Sequence, residues 1–227
     1  MTDSTLTQVK GWLNDKIWEE YLNGFILNIT PVHNEDLIVS VLTKTELVTL
    51  YRFYGVRHSQ LQLGYKIDFE IENSSGSMMP RLRNVLHLGF AWLYELKHLM
   101  VWQQFSTLLY NHLRSNDAEL DPIYYNLLDK SASIFHKQNP KRVIIETYVQ
   151  LLEAEGRLHT ENRCFICDQP IYEEISLARA YLPAHPNCIN STVYNISLIN
   201  KLFLEKTTVF IDDKDIEPLY TLILEGV

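Results

Sequence analysis

Apolar and polar positions along the chain follow two periods, and the change between them falls near residue 90. Before it, apolar residues cluster in short stretches rich in β-branched and aromatic side chains: Phe25-Ile26-Leu27-Asn28-Ile29, Leu37 to Leu42, and Leu47 to Tyr54. Tyr65 to Glu72 alternates almost strictly, as a strand with one buried face does. Leu82 to Leu86 follows Pro80 as a fifth candidate. Asn73-Ser74-Ser75-Gly76-Ser77 is the clearest turn signal in the chain. Five short strands in so few residues suit a small barrel, and the partly open five-stranded barrel of the OB type is the economical choice.

From Ala91 the apolar positions return every three to four residues. Trp92, Leu96, Leu99, Met100, Phe105, Leu108, Leu109 and Leu113 predict a long helix that ends near Arg114, at Ser115-Asn116-Asp117. Ile123, Leu127, Leu128, Ile134 and Phe135 predict a second, led in by Asp121-Pro122, and Val143 to Leu152 a third that closes at Gly156. Helical spacing resumes at Ile199, Leu202 and Phe203, and again from Ile216 to Leu224. The acidic run Asp212-Asp213-Lys214-Asp215 suits the positive end of that last helix. Trp12, Leu13, Ile17, Trp18, Tyr21 and Leu22 share helical spacing, so residues 1–23 read as a leader, either a short amphipathic helix or an extension ahead of the first domain. The expected organisation is α+β: an OB-type barrel over 24–90, then an α-helical domain over 91–227.

The sharpest chemical signal interrupts the helical pattern. Cys164-Phe165-Ile166-Cys167 is followed, after 17 residues, by His185-Pro186-Asn187-Cys188. Two pairs, each separated by two residues, match the spacing of zinc sites in which one turn presents two ligands and a second completes a tetrahedron. All three cysteines of the chain, Cys164, Cys167 and Cys188, fall in these pairs. Four protein ligands close the coordination sphere, which predicts a structural zinc rather than a catalytic one. The competing readings are free thiols brought together by chance and a redox Cys-x-x-Cys. The second lacks the strand-then-helix context. A zinc deaminase needs a glutamate two residues after the histidine, where this chain has Asn187. No phosphate-cradling glycine loop and no nucleophile–base pair stands out, so no enzymatic activity is expected.

A second constellation is basic and aromatic. Arg52, Tyr54, Arg57 and His58 lie at the end of the third strand and in the turn after it, Lys44 lies in the turn before it, and Arg81 and Arg83 flank the fifth strand's start. Cations for phosphates and rings for bases are what a nucleic-acid groove on a barrel needs. The competing reading is a solvated strand edge. Composition does not decide between them. Residues 24–90 carry six cations (Lys44, Arg52, Arg57, Lys66, Arg81, Arg83) and six acids (Glu35, Asp36, Glu46, Asp68, Glu70, Glu72), and the chain's net charge is -8. An acidic total excludes a surface that is basic throughout but not a local patch. His33-Asn34-Glu35-Asp36 reads as a polar turn between strands rather than a metal cluster. The odd, clustered cysteines, together with the absence of a secretory leader or an 18-residue apolar run, lead to the expectation of a reducing, cytoplasmic setting without membrane contact.

The order of these parts resembles the bacterial RecO family. Gly24-Phe25-Ile26-Leu27 resembles that family's first strand, Glu35-Asp36-Leu37-Ile38-Val39 its second with an acidic start, and Tyr51 to His58 its third strand and basic turn. Cys164, Cys167, His185 and Cys188 fall where the family's metal ligands fall, with His185 in a place often held by cysteine. The resemblance spans about residues 24–227 and implies a recombination mediator. Such a protein binds single- and double-stranded DNA and anneals strands. It works with RecR and with the C-terminal tail of single-stranded-DNA-binding protein (SSB), and acts indirectly on RecA. The alternatives are a zinc-stabilised interaction or regulatory module without a DNA role and an enzyme, for example a zinc-dependent nuclease that uses His185. For the tail, the helical domain is the expected dock: Trp92, Leu93, Leu96, Met100, Val101 and Trp102 make its first helix apolar on more than one face, with Lys97 and Arg114 as candidate cations.

Overall fold

The computed structural model describes residues 22–73, 79–115 and 119–226. The leader helix expected before Tyr21 and most of the turn after Asn73 lie outside the described residues. Five strands form a closed barrel: β1 (Leu22–Pro31), β2 (Leu37–Leu42), β3 (Leu47–Arg52), β4 (Lys66–Glu72) and β5 (Arg81–Leu88). Their order is β1-β2-β3-β5-β4, and β4 returns to β1. All pairings are antiparallel except β3 with β5, which run parallel at Tyr51 and Arg81. This is the OB-type barrel the alternation pointed to. Leu22 and Asn23 belong to β1, paired with Phe69 and Asp68, rather than to the leader.

The barrel interior holds Ile26, Leu37, Val39, Val41, Leu50, Ile67, Phe69 and Leu82, the inward members of each alternation. The consecutive apolar run in β1 has a different cause. Ile26 points into the barrel, whereas Phe25 and Leu27 point outward and are buried in the helical core. The barrel therefore packs its β1 face on the helices, and the two parts share one hydrophobic cluster.

That cluster is built on α1 (Leu96–Leu113), preceded by a 3-10 turn over Ala91–Tyr94, then α2 (Ile123–Ile134), α3 (Pro140–Ala154), α4 (Ile196–Glu205) and α5 (Asp213–Leu224). Trp92, Trp102 and Phe135 meet at its centre, with ring centroids 4.8–5.3 Å apart. Each indole keeps a hydrogen-bond partner: Trp92 Nε1 donates to the Ala132 carbonyl and Trp102 Nε1 to the Gly64 carbonyl, both at 2.8 Å. Gly64 has φ +83°, and a Cβ there would come within 2.6 Å of the Trp102 ring, so only glycine fits this contact between barrel and helices. Asn139 caps α3 through Lys141 N–H, with Pro140 in the first turn. Asp212, Asp213 and Asp215 surround the start of α5, as their charge leads one to expect. Among the described residues no helix is long and apolar enough to cross a membrane.

One half-buried polar cluster ties three helices together. Glu155, just past α3, accepts from His112 of α1 at 2.6 Å, from Tyr124 of α2 at 3.0 Å and from Arg157 at 3.0 Å. Burial alone would raise the Glu155 carboxyl, but these donors outweigh it and hold it below its ordinary value. A depressed carboxyl adds stability above its unfolded-state value and loses it as pH falls through its folded value. Glu155→Gln is therefore expected to cost about 1–2 kcal/mol at neutral pH. In thermal melts, the gap between variant and parent should close as pH drops below about 4.

A small sheet not expected from the sequence lies between α3 and α4. Its strands β6 (Glu174–Leu177), β7 (Pro183–Ala184) and β8 (Val193–Asn195) are ordered β7-β6-β8. They are too short to show a period, and β6 reaches β7 through Ala180 and Tyr181 in the left-handed region.

Candidate metal centre and nucleic-acid interface

The Cys3His segment folds as two tight turns facing one another. In the first, Asp168 N–H donates to the Cys164 carbonyl at 2.8 Å and Cys164 N–H to the Gln169 carbonyl at 2.9 Å, so the chain reverses within Cys164–Gln169. Asp168, at φ 56°, takes the left-handed residue of that reversal, braced by Arg163. In the second turn Cys188 N–H donates to the His185 carbonyl at 2.9 Å. Phe165 N–H to the Pro183 carbonyl, 2.9 Å, joins the two. The short sheet explains how 17 residues of separation are spanned, since β7 ends at Ala184, directly before His185.

The ligand atoms of Cys164, Cys167, His185 and Cys188 all lie within 4.8 Å of one another, and this is the only such group among the described residues. Cys167 Sγ is 3.3 Å from His185 Nδ1, Cys188 Sγ is 4.0 Å from it, and the two sulfurs are 3.9 Å apart. A tetrahedral zinc with ordinary bond lengths would set such edges at about 3.6–3.8 Å. His185 Nε2 lies 3.0 Å from the Pro170 carbonyl. A proton on Nε2 leaves the Nδ1 lone pair facing the thiols, the arrangement that orients a metal-binding imidazole. Cys164 is buried, which pushes its thiol up, but backbone N–H groups of Cys167, His185 and Ile166 outweigh that and hold it down at about 6. Cys188, pushed up by burial and by the neighbouring sulfurs, sits at about 11. Three cysteine sulfurs and an imidazole nitrogen this close make a donor set whose chemistry fits a metal ion.

The second constellation gathers where β3 meets β5. Arg52 donates to the Leu82 carbonyl at 2.9 Å and lies 3.2 Å from His58 Nε2. Desolvation, and then the nearby Arg83 charge, lower its pKa from the ordinary value. Arg57 lies over the Tyr54 ring at 5.3 Å and Arg81 over the Phe53 ring at 5.0 Å. Both rings are about half exposed, Phe53 at 44% and Tyr54 at 56%. Tyr54 has φ 49°, a left-handed backbone fixed by the buried Asp36 carboxylate, which accepts Tyr54 N–H at 2.6 Å and Tyr51 O–H at 2.5 Å. Gly55 follows because any Cβ there would strike Leu37.

Six of the seven residues named from the sequence thus form one patch: Arg52, Tyr54, Arg57, His58, Arg81 and Arg83. Lys44 is not part of it. It sits in the β2–β3 turn, where the Thr45 carbonyl accepts Leu120 N–H at 2.7 Å, at the end of β3 opposite Arg52. A six-residue strand carries it roughly 17 Å away. Phe53 is the residue the sequence reading missed as a site member. Strand alternation puts it next to Arg52 without saying which outward residues meet β5.

Residues 22–93 match the family described as RecO N terminal. Over that stretch, about a third of the chain, the protein is similar to a RecO N-terminal domain. The match covers all five barrel strands and ends in the 3-10 turn before α1, and it supports the resemblance to the RecO family read from the order of parts. A search of curated proteins finds no match to the chain. The RecO N-terminal domain links the protein to DNA repair and recombination in general terms, and the cation–ring patch lies on that domain.

Proposed function

We propose that this chain is a recombination mediator that binds single- and double-stranded DNA without strong sequence preference and anneals complementary strands. One observation carries this reading: guanidiniums and exposed rings alternate on the outer surface of the RecO N-terminal barrel, at Arg57–Tyr54 and Arg81–Phe53. Cations neutralise phosphates and rings take unpaired bases, and annealing asks for little more. No bond-making step is assigned, and the protein acts as a binder rather than an enzyme. A zinc ion held by Cys164, Cys167, Cys188 and His185 Nδ1 would pin the two turns to each other and supply stability rather than chemistry. Free cysteines suit a reducing, cytoplasmic setting.

The partners proposed are RecR, the C-terminal tail of SSB and, indirectly, RecA. For the tail, we propose a dock on α1 that extends to the barrel. Trp92, Leu93, Val101 and Trp102 are core, while Leu96 and Met100 stay exposed. Met100, Leu108 and Leu224 join Leu63 of the barrel around an open groove of about 490 Å³, with Gln103, Gln104 and Thr107. Lys97 and Arg114 lie toward opposite ends of α1, outside that lining. Leu63 of the barrel lines that groove beside the helical residues, so on this proposal the tail would bind the full chain more tightly than residues 91–227 alone.

The second reading, a zinc-stabilised interaction module without a DNA role, is favoured by the carboxylates paired with Arg57, Arg81 and Arg83. The deciding experiment is a DNA titration across salt with metal content measured on the same sample. Binding that weakens steeply with salt is expected. Failure of folded, metal-loaded protein to bind any DNA at low salt would favour the second reading.

A further inference from the structure

Every exposed guanidinium at the mouth of the barrel patch is already occupied by the protein itself. The Glu35 carboxylate oxygen Oε2 lies 2.5 Å from both Nε and a terminal nitrogen of Arg57. Glu72 Oε2 lies 3.2 Å from Arg83 Nε and 3.8 Å from an Arg81 terminal nitrogen, an ion pair in which that solvent-shielded oxygen accepts no hydrogen bond. In both places a single carboxylate oxygen faces guanidinium nitrogens where a phosphate oxygen could sit, by a charge-assisted hydrogen bond at Arg57 and by charge alone at Arg81 and Arg83. The same guanidiniums also lie over the rings: Arg57 on Tyr54 and Arg81 on Phe53. Phosphate-type and base-type positions are thus filled together.

Glu35 is held in place for this contact. It follows Asn34 in a turn where both residues have positive φ, 57° and 67°, and whose backbone is closed by Asp36 N–H to the His33 carbonyl. Asp36 in turn fixes Tyr54, so the acid and the ring that bracket Arg57 are anchored through one buried residue.

We infer that Glu35 and Glu72 are affinity-setting residues: their carboxylates stand in for backbone phosphates and hold the barrel's DNA surface closed on itself until nucleic acid displaces them. This rests on the DNA-binding reading above. It accounts for a basic patch with a neutral local charge balance, because the acids are part of the site rather than scattered around it. It also has a counterintuitive consequence, that removing native ion pairs strengthens function.

The test compares Glu35→Gln, Glu72→Gln and the double variant with Glu70→Gln, using the full chain and a fluorescent oligothymidylate titrated at several salt concentrations. Glu70 is the internal control, since its carboxylate takes Asn84 Nδ2 rather than a guanidinium, yet the change removes the same charge two residues from Glu72. Exposed pairs of this kind are weak, so Glu35→Gln and Glu72→Gln are each expected to tighten binding about two- to fivefold. The double variant should combine them to about tenfold, because the two sites share no partner. The salt slope should steepen by up to about 0.7 per freed guanidinium on a single strand. Glu70→Gln should change affinity by no more than about 1.5-fold, the screened effect of charge alone. Unchanged or weaker binding in folded Glu35→Gln and Glu72→Gln, or an equal gain in Glu70→Gln, overturns the inference while leaving the DNA reading intact if Arg57→Ala still weakens binding. Absence of DNA binding by the parent and by every variant removes both.

Discussion

Cys167→Ser is expected to release the metal and to lower the melting temperature by about 6–12 °C. A structural zinc in small domains contributes binding free energy on the order of 10–16 kcal/mol, and where ligands converge only in the folded state that energy is folding energy. Here the site is not a detached knuckle. Cys164, Ile171, Ile175, Leu177 and Ala184 are members of the same buried cluster as the helices, so loosening the turns also exposes core. Losing even about 3 kcal/mol of that coupling would move the midpoint by the amount stated for a chain of this size. The check is elemental analysis and calorimetry on chelator-free protein, parent beside variant. About one zinc per parent chain and far less in the variant is the expected pair of results. A parent that holds no stoichiometric metal, or a variant that melts with it, would sink the structural role. His185→Cys is the informative companion: a fourth thiolate still completes a closed tetrahedron, so metal should be retained.

The second large effect is expected from Arg57→Ala combined with Arg83→Ala. DNA affinity should fall on the order of tenfold at low salt, and the dependence on salt should flatten by about 0.9 for each duplex phosphate that is no longer neutralised. These two side chains are chosen because they are exposed and make no main-chain bond. Arg52 differs: its guanidinium donates to the Leu82 carbonyl across the β3–β5 seam, so its removal would mix binding with barrel stability. Lys44→Ala, at the far end of β3, should leave the titration unchanged. An unaltered slope in the double variant, with the barrel still folded, would move the DNA surface elsewhere on the chain. A loss as large in Lys44→Ala would show that net charge rather than this patch governs binding.

The patch and the metal centre differ in how far the sequence alone revealed them. Cys164, Cys167, His185 and Cys188 were legible as a set, because a tight turn brings positions three apart to one point and that geometry is local. β2 was legible to the residue, Leu37 to Leu42, and Asp212 to Asp215 marked the start of α5, because alternation and helix dipoles also act over a few residues. β6, β7 and β8 were not legible, since two to four residues carry no period and their pairing is set by partners far along the chain. For the nucleic-acid surface, residue types alone named Arg52, Arg57, Arg81 and Arg83. Only the closed barrel, with β5 running parallel to β3, decided that Arg81 would lie over Phe53, that Glu35 and Glu72 would occupy the guanidiniums, and that the turn holding Lys44 would meet the helical domain. The burial of Phe25 beside Ile26 was likewise written as a plain apolar run, and the helical layer on β1 gave it two faces. Local spacing determines elements and ligand pairs. Which exposed side chains meet depends on strand closure, where the free energy lies in contacts between residues distant in sequence.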